Sequence, residues 1–597
     1  MPILIGTNLD DIIEPPLVVS PARIFGLAGD DILTGSTGDD LLNGGTGADT
    51  FTGGGGNDAY IIDDPGDEVN ENAGEGTQDK VRFEPTDPVA FGFTFDLDAI
   101  PGLQQIENLD LAAGTVNLNG FGNALNNVII ANDGENELRG EEGNDRLFGL
   151  AGNDIIDGGT GVDTLNGGDG DDIYFVDNPF DKITEGDGAS SGTDIVFSTA
   201  SSYTLDVNVE NLSLEAGAGD INGTGNDLDN VITGNEGKNV LDGGGGADRL
   251  IGGGGTSGDT FIVDDSGDRV VADGMGDFTG NPNPTGAGVN TILSSITIDL
   301  TGGVVESGNV YNLILTGSSD INGMGNALSN FIQGNSGRNT LTGGGGTDYI
   351  YGDAGDDTFD GGDGNDFLNG GLGADMFIES AGNDTYIVDN AGDMVVDMGN
   401  AFGTDKVKSS VTYNLNTNAP TVRDITLTGV QNITATGNSL NNFIVGNSGS
   451  NSLFGLEGRD YLYGQDGFDI LNGGEGNDRL SGGSGSDRFV FDGDFADIGV
   501  DRIADFSAAE GDKIRLSLST FSAIVGNPRS PISPSEFATV TADALAASST
   551  AKIIYGTSSG KLYYNPDGEV DGFGDGGFFA VLSGAPSLGS GNFVLAA

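Results

Sequence analysis

Residues 140–175 divide into four consecutive nines, GEEGNDRLF, GLAGNDIID, GGTGVDTLN and GGDGDDIYF, which share the template GGxGxDxLx. A unit this short cannot bury an apolar face alone, so the units must stack, and few folds are built that way. The same frame runs through 26–61, 234–251, 334–387 and 446–490, with a short insertion near Thr256 and Ser257. Within each nine, the first six positions are turn formers. The last three place one apolar residue between two variable ones, which predicts a three-residue strand after a six-residue turn. Two nines make one coil of eighteen residues, with position-eight side chains such as Leu147, Ile156, Leu165 and Tyr174 forming an inner ladder. The fold class is therefore all-β: tandem parallel β-roll or β-helix solenoid blocks. No helix of convincing period is expected between residues 6 and 491.

Parallel coils lie ~4.8 Å apart, so the position-six aspartates of repeats n and n+2 line up in columns, Asp145 with Asp163 and Asp154 with Asp172. Two carboxylates at that spacing repel by ~3.5 kcal/mol at an effective dielectric near 20. A column of them needs a cation. Composition narrows the choice: Asp plus Glu is 92 against 22 Lys plus Arg, a net charge of −70, and the chain has no His, Cys or Trp. Without those residues there is no Ser-His-Asp triad, no zinc site of His or Cys and no disulfide, and metal ligands must be oxygens. The charge repels nucleic acid and anionic lipid. Glycine-rich turns place carbonyls beside carboxylates in a flexible cage, which suits Ca2+ better than Mg2+.

These repeats resemble the RTX (repeats-in-toxin) calcium-binding nonapeptides. The resemblance implies that ions sit between neighbouring coils, held by turn aspartates and glycine carbonyls. Carried over by position, the metal ligands would be Asp31, Asp40, Asp49 and Asp58; Asp145, Asp154, Asp163 and Asp172; Asp248 and Asp259; Asp348, Asp357, Asp366, Asp375 and Asp384; and Asp460, Asp469, Asp478 and Asp487. Four blocks depart from the pattern at their start, where position six is Asn127, Asn230, Asn330 or Asn442, followed in the next turn by Asn136, Asn239, Asn339 or Asn451. Amides stack as hydrogen-bonded ladders without a cation, so the first coil of each of these blocks is expected to be a metal-free cap. The resemblance also implies an uncleaved carboxyl-terminal signal read by a type I secretion apparatus. The amino terminus, with no basic or long apolar stretch, agrees with that, and no run of ~18 apolar residues predicts a transmembrane segment.

The GNxLxN turns begin at Gly122, Gly225, Gly325 and Gly437, about a hundred residues apart, so a block plus a spacer is the larger unit. The expected organisation is RTX blocks at 1–61, 122–178, 225–265, 325–390 and 437–491, β spacers at 62–121, 179–224, 266–324 and 391–436, and a carboxyl-terminal β cap and secretion module at 492–597. Spacers read as longer, irregular strands. In the last segment, 501–506 and 511–516 read as two strands around a polar turn, and 553–555, 562–564 and 578–582 as a small antiparallel sheet. No enzyme is expected. Asp265-Ser266-Gly267 matches an aspartic-protease triplet, but one copy stands where a dyad needs two. The function expected is that of an extracellular, secreted or surface-associated calcium-binding protein of structural or adhesive type, with an extracellular hydrolase using spacer carboxylates as the alternative. Expected partners are calcium ions, the type I apparatus and cell-surface polysaccharide, with Tyr349, Tyr351, Tyr461 and Tyr463 as exposed glycan contacts or cross-strand packing.

Overall fold

A computed structural model describes residues 2–15, 21–72, 74–87, 93–188, 190–272, 288–379, 381–397, 404–569 and 572–597. The chain divides into two compact units. One comprises Met1–Thr279, Thr285–Leu293 and Gly302–Val310, the other Gly280–Pro284, Ser294–Thr301 and Tyr311–Ala597.

In the first unit the coil is eighteen residues long within the repeats. Strand Arg146–Ala151 pairs in parallel with Thr164–Asp169, Leu147 opposite Leu165, within a ten-stranded sheet. The intervening strand Ile155–Asp157 lies in an eleven-stranded sheet and pairs in parallel with Glu137–Arg139, Ile156 opposite Leu138. Successive nines thus feed two sheets alternately. The position-eight side chains Leu147, Ile156, Leu165 and Tyr174 are fully buried, as are Ile24, Leu33, Leu42 and Phe51 in the first block. Each such side chain stabilises the stack by ~1.5–3 kcal/mol. Several strands are longer than three residues, because the turn backbones also pair: Leu150 lies opposite Gly168 and Ala151 opposite Asp169.

The spacers are coils too. Strand Ile173–Val176 is followed in its sheet by Ile195–Ser198, Asn211–Leu214 and Val231–Thr233, with Ile173 opposite Ile195, Ile195 opposite Asn211 and Asn211 opposite Val231. These steps are 195−173 = 22, 211−195 = 16 and 231−211 = 20 residues. What changes is the length of the turns; the strands stay at four residues or fewer.

The second unit repeats this plan from Asn312–Leu315 onward, with Leu341, Ile350, Phe359 and Leu368 fully buried. One helical turn, Leu415–Asn418, breaks the all-strand expectation for the repeats and spacers. Tyr349, Tyr351, Tyr461 and Tyr463 are half-buried instead of exposed, and rings pack across strands, Tyr349 stacked on Phe367 at 5.7 Å and Tyr463 tilted against Phe443 at 5.4 Å. Asp501–Ile503 and Lys513–Ser517 do not pair with each other. They add one more coil, pairing in parallel with Arg479–Ser481 and Arg488–Phe491. Ile553–Gly556, Lys561–Tyr564 and Gly577–Leu582 form the antiparallel sheet expected, and Gly577–Leu582 and the final strand Phe593–Ala596 dock in parallel on that last coil. Among the described residues no helix is long and apolar enough to cross a membrane.

Candidate metal centre

Stacking at eighteen residues brings the position-six side chains into columns linked by one hydrogen bond per step. The backbone N–H of each aspartate donates to Oδ1 of the aspartate one coil later: Asp145 to Asp163 at 2.7 Å, and Asp154 to Asp172 at 2.7 Å. In the first unit the columns run Asp11, Asp31, Asp49, Asp67 and Asp40, Asp58, Asp79 in the first block. They continue as Asn127, Asp145, Asp163, Asp181 and Asn136, Asp154, Asp172, Asp194 in the second, and as Asn230, Asp248, Asp268 and Asn239, Asp259, Asn290 in the third. The second unit holds Asn330, Asp348, Asp366, Asp384, Asp405 and Asn339, Asp357, Asp375, Asp393, then Asn442, Asp460, Asp478, Asp501 and Asn451, Asp469, Asp487, Asp512. All nineteen aspartates of the repeat frame lie in these columns, each 3% exposed or less.

Their second oxygen is the unusual atom. Oδ2 of Asp31, Asp49, Asp58, Asp145, Asp154, Asp163, Asp172, Asp248, Asp348, Asp357, Asp366, Asp375, Asp460, Asp469, Asp478 and Asp487 is buried with no hydrogen-bond partner. An unpaired buried carboxylate oxygen costs several kcal/mol unless a proton or a cation meets it. Burial accordingly pushes Asp348 up to about 8 and Asp145 up to about 7, opposed by the donating backbone N–H of Asn330 and Asn127. Each Oδ2 lies against a position-one glycine, and within the blocks, as at Gly26, Gly140, Gly149, Gly343, Gly352, Gly455 and Gly464, also against the carbonyl of the glycine one coil on. A methyl group on Gly140 would stand closer than 3.0 Å to both Asp145 Oδ2 and the Gly158 carbonyl oxygen. Carboxylate and carbonyl oxygens with no proton donor between them are the donor set of a hard divalent cation, and the residues fit Ca2+.

The turn backbone explains why Oδ2 is left bare. At position two, Leu27, Glu141, Leu150, Asp353, Leu456 and Gln465 have φ between 69° and 94°, and glycines at the equivalent place, such as Gly159, Gly168 and Gly344, also have positive φ, of 76° to 105°. For a residue with a side chain that costs ~1–2 kcal/mol, and it turns the position-two amide away from the aspartate. The asparagine turns lie outside that region, and their position-two N–H donates to the asparagine Oδ1, Asn123 to Asn127 and Asn438 to Asn442, each at 2.8 Å. Asp40 follows the asparagine pattern: the Ser36 N–H donates to its Oδ2.

The asparagine heads do not form the amide ladder expected from the sequence. Their NH2 groups donate to carbonyls of the preceding coil, Asn136 to Leu118 at 2.6 Å, Asn239 to Ile221 at 2.6 Å and Asn442 to Arg423 at 3.0 Å. Protons stand there in place of a cation.

Sequence reasoning missed that the columns continue into the spacers. Asp67, Asp181, Asp268 and Asp393 close columns with both oxygens engaged. Oδ2 of Asp268 accepts the N–H groups of Asp264 and Asp265 at 3.1 and 3.0 Å, and Oδ2 of Asp67 those of Asp63 and Asp64 at 3.0 and 3.2 Å. In this turn Asp265 is exposed and accepts from the Gly267 N–H at 2.7 Å, so the Asp-Ser-Gly triplet is a block-ending turn.

The RTX calcium-binding nonapeptide repeat matches residues 25–60, 121–156, 148–178, 224–268, 324–359, 351–386, 436–471 and 463–495. No curated protein matches the chain. RTX nonapeptides bind Ca2+, and the buried aspartates of these stacked turns are consistent with multiple calcium sites. By these matches the chain carries RTX calcium-binding nonapeptide repeats in all five blocks.

Proposed function

We propose that this is a secreted protein, without enzymatic activity, that stays unfolded where calcium is scarce and folds outside the cell as ions fill its aspartate columns. The in-frame aspartates are the ligands, save Asp40, whose oxygens accept from Ala22 and Ser36; the asparagine heads are metal-free, and the five blocks are the loading units. The observation that carries this reading is the set of buried, partnerless Oδ2 atoms in register from coil to coil. In the absence of ions, a chain of net charge −70 must bring these carboxylates together and bury them. An ion that binds only the folded state stabilises it by about 2.7 kcal/mol per site at a free concentration of 100 Kd, so several columns together decide whether the chain folds.

Such a mechanism suits export: a type I apparatus would receive an extended chain, and the final strand Phe593–Ala596, buried in the folded cap, would be legible only before folding. Outside, an acidic calcium-loaded surface suits a structural or adhesive role, with calcium bridging to anionic polysaccharide. The test is far-UV circular dichroism of the full chain in EDTA and through a calcium titration, with magnesium as control. Cooperative gain of β signal with calcium alone is expected. A β spectrum already complete in EDTA would overturn folding driven by calcium.

A further inference from the structure

In an ordinary coil, the residue eighteen beyond a position-one glycine is another glycine, as Gly158 is to Gly140. At the last coils of the first two blocks this changes: the residue eighteen beyond Gly53 is Glu71, and beyond Gly167 it is Glu185. A methyl group on Gly53 would meet the Tyr60 hydroxyl and Asp58 Oδ2, and one on Gly167 would meet Asp172 Oδ2 and the Tyr174 hydroxyl. Tyrosine hydroxyl and glutamate therefore stand where other coils present a carbonyl.

The Tyr60 hydroxyl donates to Glu71 Oε2 and the Tyr174 hydroxyl to Glu185 Oε1, which holds each glutamate by one oxygen. The other oxygen, Glu71 Oε1 or Glu185 Oε2, is buried without a partner, as are Asp58 Oδ2, Asp172 Oδ2 and Asp194 Oδ2. The glutamates are 8% and 7% exposed. Asp58, Glu71 and Asp79 each present an oxygen within 4.8 Å of the other two. Burial, with the charges of Asp194 and Asp172, pushes Glu185 up to about 8. The fifth block differs: Phe489 carries no hydroxyl, and Asp505 accepts from the Gly482 and Gly483 N–H groups and the Ser481 hydroxyl, so it has nothing to offer an ion.

We propose that Asp58, Glu71 and Asp79 form a cation site that reaches beyond the nonapeptide frame, with three carboxylates that take Ca2+ or a trivalent lanthanide. The inference rests on the reading that the columns hold calcium. Three negative charges on one ion favour high charge, and three carboxylates without a fixed octahedron favour a large cation over Mg2+. The tyrosine fixes the glutamate without contributing charge.

The experiment compares the full chain with E71Q and with Y60F. Calcium is counted by equilibrium dialysis, and Tb3+ emission is excited through tyrosine, with no Trp to compete. E71Q should bind one calcium ion fewer per chain, and Y60F should keep the ion count while lowering tyrosine-sensitised Tb3+ emission. An unchanged ion count in E71Q overturns the proposal. If that variant does not fold, unchanged emission from Y60F overturns it. If the parent chain binds no calcium, the column reading itself has failed, which the parent titration distinguishes.

Discussion

Replacing Gly343 by alanine would put a methyl group into the space between two coils where a cation is proposed. The new Cβ would lie closer than 3.0 Å to Asp348 Oδ2 and 2.5 Å from the carbonyl oxygen of Gly361. Gly343 lies outside the left-handed region, so alanine carries no backbone penalty there and the effect is steric. Overpacking of this kind costs ~1–3 kcal/mol whatever the ion concentration. In calcium the site is lost as well, worth about 2.7 kcal/mol at a free concentration of 100 Kd, so the total loss is about 4–6 kcal/mol. Gly345, two residues on in the same turn, is the control: the nearest atom to its added Cβ is the Ala327 Cα at 3.7 Å, and a change within ~0.5 kcal/mol is expected. Urea unfolding in saturating calcium, with a calcium count for each variant, separates the two. The reasoning fails if Gly343→Ala binds as many ions as its parent, or if both variants lose the same stability in calcium.

Three further outcomes are expected. The raised carboxylates Asp145, Asp163 and Asp348, pushed up to about 7, 7 and 8 from 3.8, hold protons in the calcium-free fold that the unfolded chain has shed. The calcium-free fold should therefore be most stable below about pH 4 and lose that stability progressively as pH rises from there through about 7, while calcium binds more weakly at pH 6 than at pH 8; circular dichroism in EDTA across pH and calcium titrations at both pH values check the two signs. Asn127→Asp removes NH2 donation to the Ile106 and Glu107 carbonyls, at 3.3 and 3.2 Å, so it should cost ~1–3 kcal/mol at limiting calcium and be rescued as calcium is raised, as urea midpoints across a calcium series would show. Leu150→Gly relieves φ of 76° at a side chain 43% exposed and should raise the thermal midpoint, by ~1 kcal/mol of stability; a lower midpoint would show that the turn is not strained.

The ladder was legible because its period is constant: two nines per coil put Leu147 over Leu165 whatever the variable positions hold. The spacer coils were not, because their steps of 16 to 22 residues between Ile173 and Val231 have no fixed period, although the strands they carry are ordinary. The columns were legible from position six within the repeats. Their continuation to Asp67, Asp181, Asp268 and Asp393 was missed, yet a signal was present, since each follows a block-ending Asp63, Asp177, Asp264 or Asp389 by four residues. The left-handed position two was hidden wherever Leu, Glu, Asp or Gln stands in place of glycine. At Leu150 or Gln465 the neighbouring coil overrides residue preference, and no local pattern marks that. Tyr349 and Tyr463 were misjudged as exposed because the aromatic residue across the strand, eighteen or twenty positions away, covers them.

Anomalous diffraction from crystals grown in calcium, with data recorded where calcium scatters anomalously, tests the columns most directly. Peaks are expected beside the partnerless Oδ2 atoms, between Asp145 and Asp163 and between Asp460 and Asp478, with none at the NH2 groups of Asn136, Asn239 or Asn442. Columns without peaks in calcium-grown crystals, or peaks at the asparagine heads, would contradict the assignment of these aspartates as the ligands.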